Sequence, residues 1–283
     1  MHMRKIVGFL GRLPVGDDYP VRVVGIINLS LESFYKESIV CGPEDALKRA
    51  ACMLEAGTDA IDVGGMSTAP YLKTSISAEE EKRRLVLAVK ALSRNFDLPI
   101  SVDTQRAEVA RAAVEAGATA INDISGENSR RILQIASEHN VSIIMLPKDS
   151  RNGSDPIHST MDSLKEKLET ALSLGIQRSK VLLDPGIGFI RNGMMPWYER
   201  DSLIIASLER LRELGRPVFI GVSRKSFIGE ILGLEDPSER LYGSLSATAV
   251  AVFNGAHVVR THDVRETMQA IRLAEHFRKQ LKR

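Results

Sequence analysis

Four consecutive residues, Ser223, Arg224, Lys225 and Ser226, stand just after a short apolar run, Val218 to Gly221. Such a run has the composition of a strand buried on both faces. Two cations between two hydroxyls at its carboxyl end serve no folding need, and charge placed there usually meets a ligand. The arrangement repeats along the chain. Other short apolar runs end in Asn28, in Asp103, in Asn122 with Asp123, at Met145, in Asp184 and in Arg260 with His262, and Asp62 belongs to another. Asp103, Asn122 and Asp184 are acceptors. Gathered in one cavity they suit a flat heterocycle carrying several ring N–H and amino donors. Taken singly, each carboxylate could equally cap the helix that follows it, and Asp62 and Asp123 are assigned mainly to structural roles, as caps or as supports behind the groups that meet a ligand. Arg260 and His262 fall on the same side of an extended segment. A guanidinium and an imidazole there suit a phosphate or diphosphate, with the amide oxygen of Asn28 sharing a Mg²⁺. Lys225 could bridge the two halves, donating to a ring near the reacting centre.

The elements that must position these groups alternate regularly. After an irregular or hairpin lead-in over residues 1–20, rich in Gly and Pro, the apolar strands are Val21–Ile27, Ala60–Val63, Ile100–Val102, Ala120–Ile121, Val141–Met145, Val181–Leu183, Val218–Gly221 and Ala256–Val259. Between them lie helical patterns. Pro43 opens the first and Gly57 closes it; Ser77-Ala-Glu-Glu is a capping box for the second, which runs to about Asn95. Others cover Ala107–Ala116, Ser129–His139, Met161–Leu174, Trp197–Leu214, Arg240–Phe253 and Val264–Leu281, with a polar loop over Lys148–Asp155. Eight strand–helix pairs imply a parallel sheet closed into a (β/α)₈ TIM barrel with a short N-terminal lead-in, one domain over residues 1–283. An open doubly wound sheet is the alternative. It would need a dinucleotide fingerprint, and Gly64-Gly65 and Gly186-x-Gly188 lack that spacing.

Composition narrows the classes further. A net charge of +2 is too mild to argue for nucleic acid. Cys41 and Cys52 have no CxxC spacing and read as buried reduced thiols. No segment has the length or hydropathy of a membrane span, and no apolar leader follows the basic N-terminus, which points to a cytoplasmic protein without a membrane partner. The histidines show no zinc spacing, and no Gly-x-Ser-x-Gly elbow occurs. The helix over Arg240–Phe253 is rich in Gly, Ala and Ser, which allows close packing against a second subunit or against the barrel.

Seven segments carry a family resemblance: Val24–Ser30 with Glu32–Phe34, Asp62–Thr68, Ser101–Thr104, Ile121–Gly126, Asp184–Phe189, Ser223–Gly229 and Arg260–Val264. Together, in order and over nearly the whole chain, they resemble dihydropteroate synthase. The resemblance implies a barrel, usually dimeric, that joins 6-hydroxymethyl-7,8-dihydropterin diphosphate to an arylamine and releases diphosphate to Mg²⁺ in folate or methanopterin biosynthesis. It implies that Asp103, Asn122, Asp184 and Lys225 hold the pterin, with Met145 and Phe189 packing near it. Asn28, Arg260 and His262 would hold the diphosphate, and Thr68, Pro70, Ser223 and Arg224 would lie near the arylamine. The chain departs from the family pattern at Ala69 and Tyr71, where arginine and glycine are usual, at Leu31-Glu32, at Leu146-Pro147 and, more mildly, at Arg191. The altered arylamine side makes a ribosylated aminobenzene phosphate a second candidate beside p-aminobenzoate. Two other readings are methyl transfer from a reduced folate to a corrinoid protein, which needs no diphosphate contacts, and a barrel that binds pterin without turnover.

Overall fold

The apolar runs do become a parallel barrel. In the computed structural model, which describes residues 5–30, 40–66, 76–125, 129–148, 155–191 and 193–281, a hairpin of β1 (Val7–Leu10) and β2 (Leu13–Gly16) precedes eight parallel strands. These are β3 (Arg22–Asn28), β4 (Ala60–Gly64), β5 (Ile100–Thr104), β6 (Ala120–Asp123), β7 (Ser142–Met145), β8 (Val181–Leu183), β9 (Phe219–Gly221) and β10 (Val258–Thr261). The sheet runs β8-β7-β6-β5-β4-β3-β10-β9, and a parallel bridge between Leu183 and Val218 joins its two ends. The fold is a (β/α)₈ barrel.

Alternation along each strand sorts side chains into two layers. Val23, Ile61, Val102, Ile121, Ile143 and Val259 face outward into the hydrophobic layer under the helices. Val24, Ala60, Ala120, Ile144, Phe219 and Val258 fill the lower interior together with Leu10 and Val15 of the hairpin. The lead-in is therefore a plug for the amino-terminal end. Gly11 N–H donates to Ser142 Oγ (2.9 Å), whose hydroxyl donates to the Phe9 carbonyl (2.8 Å). A Cβ on Gly8 would stand 2.7 Å from Pro217 Cγ, so the hairpin lies too close beneath the barrel for any side chain there. Asp17 latches the plug, accepting from Ile6 N–H (2.9 Å) and from both Arg212 Nη atoms (2.7 and 2.9 Å), with His257 Nε2 at 3.4 Å. With that end filled, ligand space is left at the carboxyl ends of the strands.

The helices are α1 (Pro43–Ala56), α2 (Ala78–Asn95), α3 (Ala107–Glu115), α4 (Ser129–Glu138), α5 (Pro156–Ser173), α6 (Trp197–Ala206), α7 (Ser226–Leu232), α8 (Leu241–Phe253) and α9 (Val264–Gln280). The expected punctuation works: Pro43 lies in the first turn of α1 and Gly57 ends it in a left-handed conformation, while Ser77 Oγ accepts from Glu80 N–H at 3.2 Å. Four details differ from the sequence reading. α5 starts at Pro156 rather than Met161, because Asp155 caps it through Ile157 and His158 N–H. The helix expected over Trp197–Leu214 tightens into a 3₁₀ segment at Leu208–Leu214, and α7 was not foreseen. The two cysteines are free but exposed, not buried: Cys41 precedes α1, and α1 turns Ala46, Ala50 and Met53 rather than Cys52 toward the barrel. Among the described residues no helix is long and apolar enough to cross a membrane.

Candidate active site

Strand register assembles the mouth. Asn28, Gly64, Asp103 and Asn122 pair in one row across β3, β4, β5 and β6. Asp62 stands one inward rung lower, paired with Ile26 and Ser101, and Arg260 starts lower still, paired with Val24 and Gly221. The length of Arg260 carries its guanidinium up through the barrel. Nε donates to Asp62 Oδ2 (2.5 Å) and Nη2 donates to Asp103 Oδ2 (3.0 Å). The acids of the middle strands and the cation of the last strand thus meet directly. Asp62 also accepts from Ser101 Oγ and from Asn122 Nδ2 (3.4 Å). Of the two roles expected of Asp62, cap or support behind the ligand-facing groups, the structure gives it the second: it is fully buried inside the barrel, far in sequence from the start of α2. Its position in mid-strand, out of step with Ile61 and Val63, was the available signal. Asp123 does take the structural role, facing outward to Ser125 N–H (3.0 Å), Ser129 Oγ and buried Lys167 (3.4 Å).

Two buried acceptors, Asp103 Oδ1 and Asn122 Oδ1, have no hydrogen-bond partner among the described residues. Buried polar atoms cost free energy unless paired, so these two oxygens leave acceptor capacity open at the mouth. Burial drives the Asp103 carboxyl up to about 7, with Arg260 pulling it down and Asp62 pushing it up. Burial likewise raises Asp184, against the attraction of Lys225 and the Gly186 N–H that Asp184 Oδ1 accepts at 2.7 Å. Lys225 is lowered by burial and held charged by Asp184 and Asp201. Its Nζ donates to the Ile187 carbonyl and lies 4.8 Å above the Phe189 ring. Gly188 makes that approach possible: its φ is +81°, and a Cβ there would stand 3.2 Å from Lys225 Cδ. Gly188 N–H is fixed by Asp201 Oδ2 at 2.8 Å, a residue on α6 that sequence reasoning missed, whose carboxyl burial pushes up to about 6.

At the end of β10 the imidazole of His262 is buried, and burial followed by the fields of Arg260 and Arg224 takes its pKa well below the ordinary histidine value. His262 acts as a neutral hydrogen-bonding group, not as a second cation. Its Nδ1 is 3.0 Å from Ser223 Oγ, which also accepts His262 N–H (3.2 Å). Arg224 is placed differently from the expectation of an arylamine contact. It turns at φ 56° and is buried, with Nε and Nη2 on Asp263 (2.9 and 2.7 Å) and Nη1 on the carbonyls of Pro237 and Ser238 (3.1 and 2.7 Å). Arg224 ties the loop after β9 to the start of α9. Met145 is also corrected: it is fully buried in the outward layer, and alternation gives the mouth position to Leu146. Thr68, Ala69 and Pro70 lie outside the described residues.

Fold and site together describe a barrel whose mouth gathers buried acceptors beside an arginine and a histidine, the layout of an enzyme site. The family described as pterin binding enzyme matches residues 24–262. Dihydropteroate synthase of a Synechocystis sp. is 36% identical over 277 residues, covering 93% of this chain and 94% of that protein. The Escherichia coli dihydropteroate synthase is 36% identical over 261 residues, 89% of this chain and 90% of that protein. A Yersinia pestis dihydropteroate synthase structure with a sulfonamide drug complex superposes at a TM-score of 0.86 and 32% identity, covering 97% of this chain and 99% of that one. A Xanthomonas albilineans dihydropteroate synthase with 4-aminobenzoic acid gives 0.84 at 33% identity, covering 97% and 98%. The chain belongs to the pterin binding enzyme family, and within it is a transferase of the dihydropteroate synthase type.

Proposed function

We propose that the 283 residues work as one unit that condenses 6-hydroxymethyl-7,8-dihydropterin diphosphate with p-aminobenzoate, releasing diphosphate, in folate synthesis. The observation that carries this reading is the contact between Arg260 and Asp103 at 3.0 Å beside the unpartnered oxygens of Asp103 and Asn122. In this reading Asp103, Asn122 and Asp184 accept from the amino and ring N–H groups of the pterin, and Lys225 donates to its acceptors. Arg260 and the neutral imidazole of His262 donate to the diphosphate, with Ser223 holding the ring of His262 in place. The carbon–oxygen bond to diphosphate breaks with its electron pair leaving on oxygen. Ionised Asp103 stabilises the cation left on the pterin methylene. The arylamine nitrogen attacks that carbon and then loses its proton, so no enzyme nucleophile is needed.

Mg²⁺ fits this arrangement in one way. Among the described residues no three His, Cys, Asp or Glu side chains form a metal cluster. The donor set therefore suits an ion carried mainly by diphosphate oxygens and water, with Asn28 as its protein contact. Bound there, Mg²⁺ would neutralise charge on the departing group.

Arg191, near where the family commonly has lysine, donates from Nη2 to Ser226 Oγ (2.5 Å) and lies 4.0 Å above Trp197. In this reading the arylamine lies on the Ser223 side of the mouth. The relatives favour p-aminobenzoate over the ribosylated alternative, and one solved neighbour carries 4-aminobenzoic acid. The reading includes a homodimer: α8 and α9 expose Tyr242, Val250, Phe253, Leu273 and Phe277, an apolar face that a second copy would cover. Light scattering after gel filtration would give twice the mass of one chain; a monomer at micromolar concentration would remove this part. It also places the chain in the cytoplasm. The function itself is tested by diphosphate release from the pterin diphosphate across a panel of arylamines. Release that depends on p-aminobenzoate is expected, and binding of the pterin without release would favour a barrel that does no chemistry.

A further inference from the structure

We infer that Asp62 is a positioning residue that sets both halves of the site, aligning the Asn122 amide for the pterin and the Arg260 guanidinium for the diphosphate. The inference rests on the pterin reading above. Asn122 could present either its oxygen or its nitrogen to the mouth, and the two orientations offer a ligand opposite hydrogen-bonding character. Asp62 removes the choice. Its Oδ2, 3.4 Å from Asn122 Nδ2, takes the amide N–H, which turns Asn122 Oδ1 into the unpartnered acceptor. The same oxygen holds Arg260 Nε at 2.5 Å and so aims Nη2 at Asp103. The other oxygen of Asp62 is anchored by Ser101 Oγ, one rung across on β5.

The charge matters as well as the shape. Asp62 is fully buried, and replacing its carboxylate would leave Arg260 with Asp103 as its remaining carboxylate partner among the described residues. Arg260 would then bind Asp103 more tightly and compete with the pterin for it. Asp62 shares the guanidinium, which keeps Asp103 available to the ligand. No contact to ligand is required of Asp62 itself.

The test uses Asp62→Asn, Asn122→Ala and the double variant in the full chain, with 6-hydroxymethylpterin and inorganic diphosphate as separate probes in titration calorimetry. Asp62→Asn is expected to weaken both probes about tenfold, the size of a lost charge-assisted hydrogen bond. It should raise KM for the pterin diphosphate with KM for p-aminobenzoate unchanged. In the Asn122→Ala background its effect on the pterin should shrink to about threefold, the part that runs through Arg260 and Asp103, while its effect on diphosphate persists in full, because Asn122 carries only the pterin. Additive effects on the pterin overturn the inference, as does unchanged affinity for both probes. Should Asp62→Asn fail to fold, Ser101→Ala keeps the charge and removes its anchor. It is expected to weaken the pterin by about threefold, and wild-type affinity in that variant also overturns the inference. A wild-type chain that binds no pterin refutes the proposed function and this inference with it, and is distinguished from the other failures by being seen before any substitution is made.

Discussion

Replacing Asp103 by Asn should stabilise the protein while removing its activity. Asp103 is held inside the barrel with one oxygen on Arg260 and the other unpartnered, and burial raises its carboxyl from 3.8 to about 7. A carboxyl whose folded pKa lies above its unfolded value gives its full contribution below the unfolded value, and that contribution is lost as pH rises through the folded one. Ionised Asp103 is thus a destabilising group at pH 8, by an upper bound of about 4 kcal/mol at about 1.4 kcal/mol per unit. The amide resembles the protonated acid and avoids this cost. The variant's advantage should therefore grow by about 1.4 kcal/mol per pH unit between pH 5 and about 7 and level off above that. At pH 8 the melting temperature should rise by several degrees, given about 2–4 °C per kcal/mol for a chain of this size class. Thermal unfolding of both proteins from pH 5 to 8.5 measures the effect, alongside diphosphate release, which should fall by a factor of about 100 or more with the charge on the methylene uncompensated. A variant less stable than the wild type at pH 8, or an advantage flat with pH, would refute the assignment of Asp103 as a buried, strained anion.

Three further outcomes follow from the geometry. Gly188→Ala forces a side chain into a left-handed backbone and against Lys225 Cδ at 3.2 Å; it should cost about 1–2 kcal/mol in denaturant unfolding and lower kcat/KM. Arg224→Ala leaves the partly buried Asp263 without its cation and frees the loop after β9, and should cost about 2–3 kcal/mol in the same assay. Asp17→Asn should loosen the hairpin plug. The bonds to His257 and Arg212 outweigh burial and hold the Asp17 carboxyl far below the usual range, so its contribution is present above about pH 4 and lost in acid. The difference between wild type and Asp17→Asn should therefore shrink as pH falls below 4, and a difference that grows in acid would contradict the latch.

Much of the barrel could be read from the chain because its strands are short, apolar and each ended by a polar group. Asp103, Asn122, Asp184, Arg260 and His262 were legible since they end runs whose inward rung is the mouth. What escaped depended on which way a residue faces or on partners distant in sequence. Whether Asp62 caps a helix or supports the site stayed open in the sequence because its role needs Ser101, Asn122 and Arg260 on three other strands. Met145 and Leu146 exchange roles by one step of alternation at a strand end that sequence cannot fix to the residue. Arg224 and Lys225 are adjacent cations, but the left-handed turn at Arg224 sends one to Asp263 and the other into the mouth. Asp201 sits on a helix, where a buried acid is indistinguishable in sequence from an exposed one.

The central claim is that one pocket holds a ring with its middle-strand acids and a departing group with its last strand. Calorimetric titration of His262→Ala and Asp184→Asn with inorganic diphosphate and with 6-hydroxymethylpterin tests it most directly. The account predicts that His262→Ala loses affinity for diphosphate about tenfold and keeps the pterin, and that Asp184→Asn does the reverse. Diphosphate binding unaffected by His262→Ala, or pterin binding unaffected by Asp184→Asn, would contradict it.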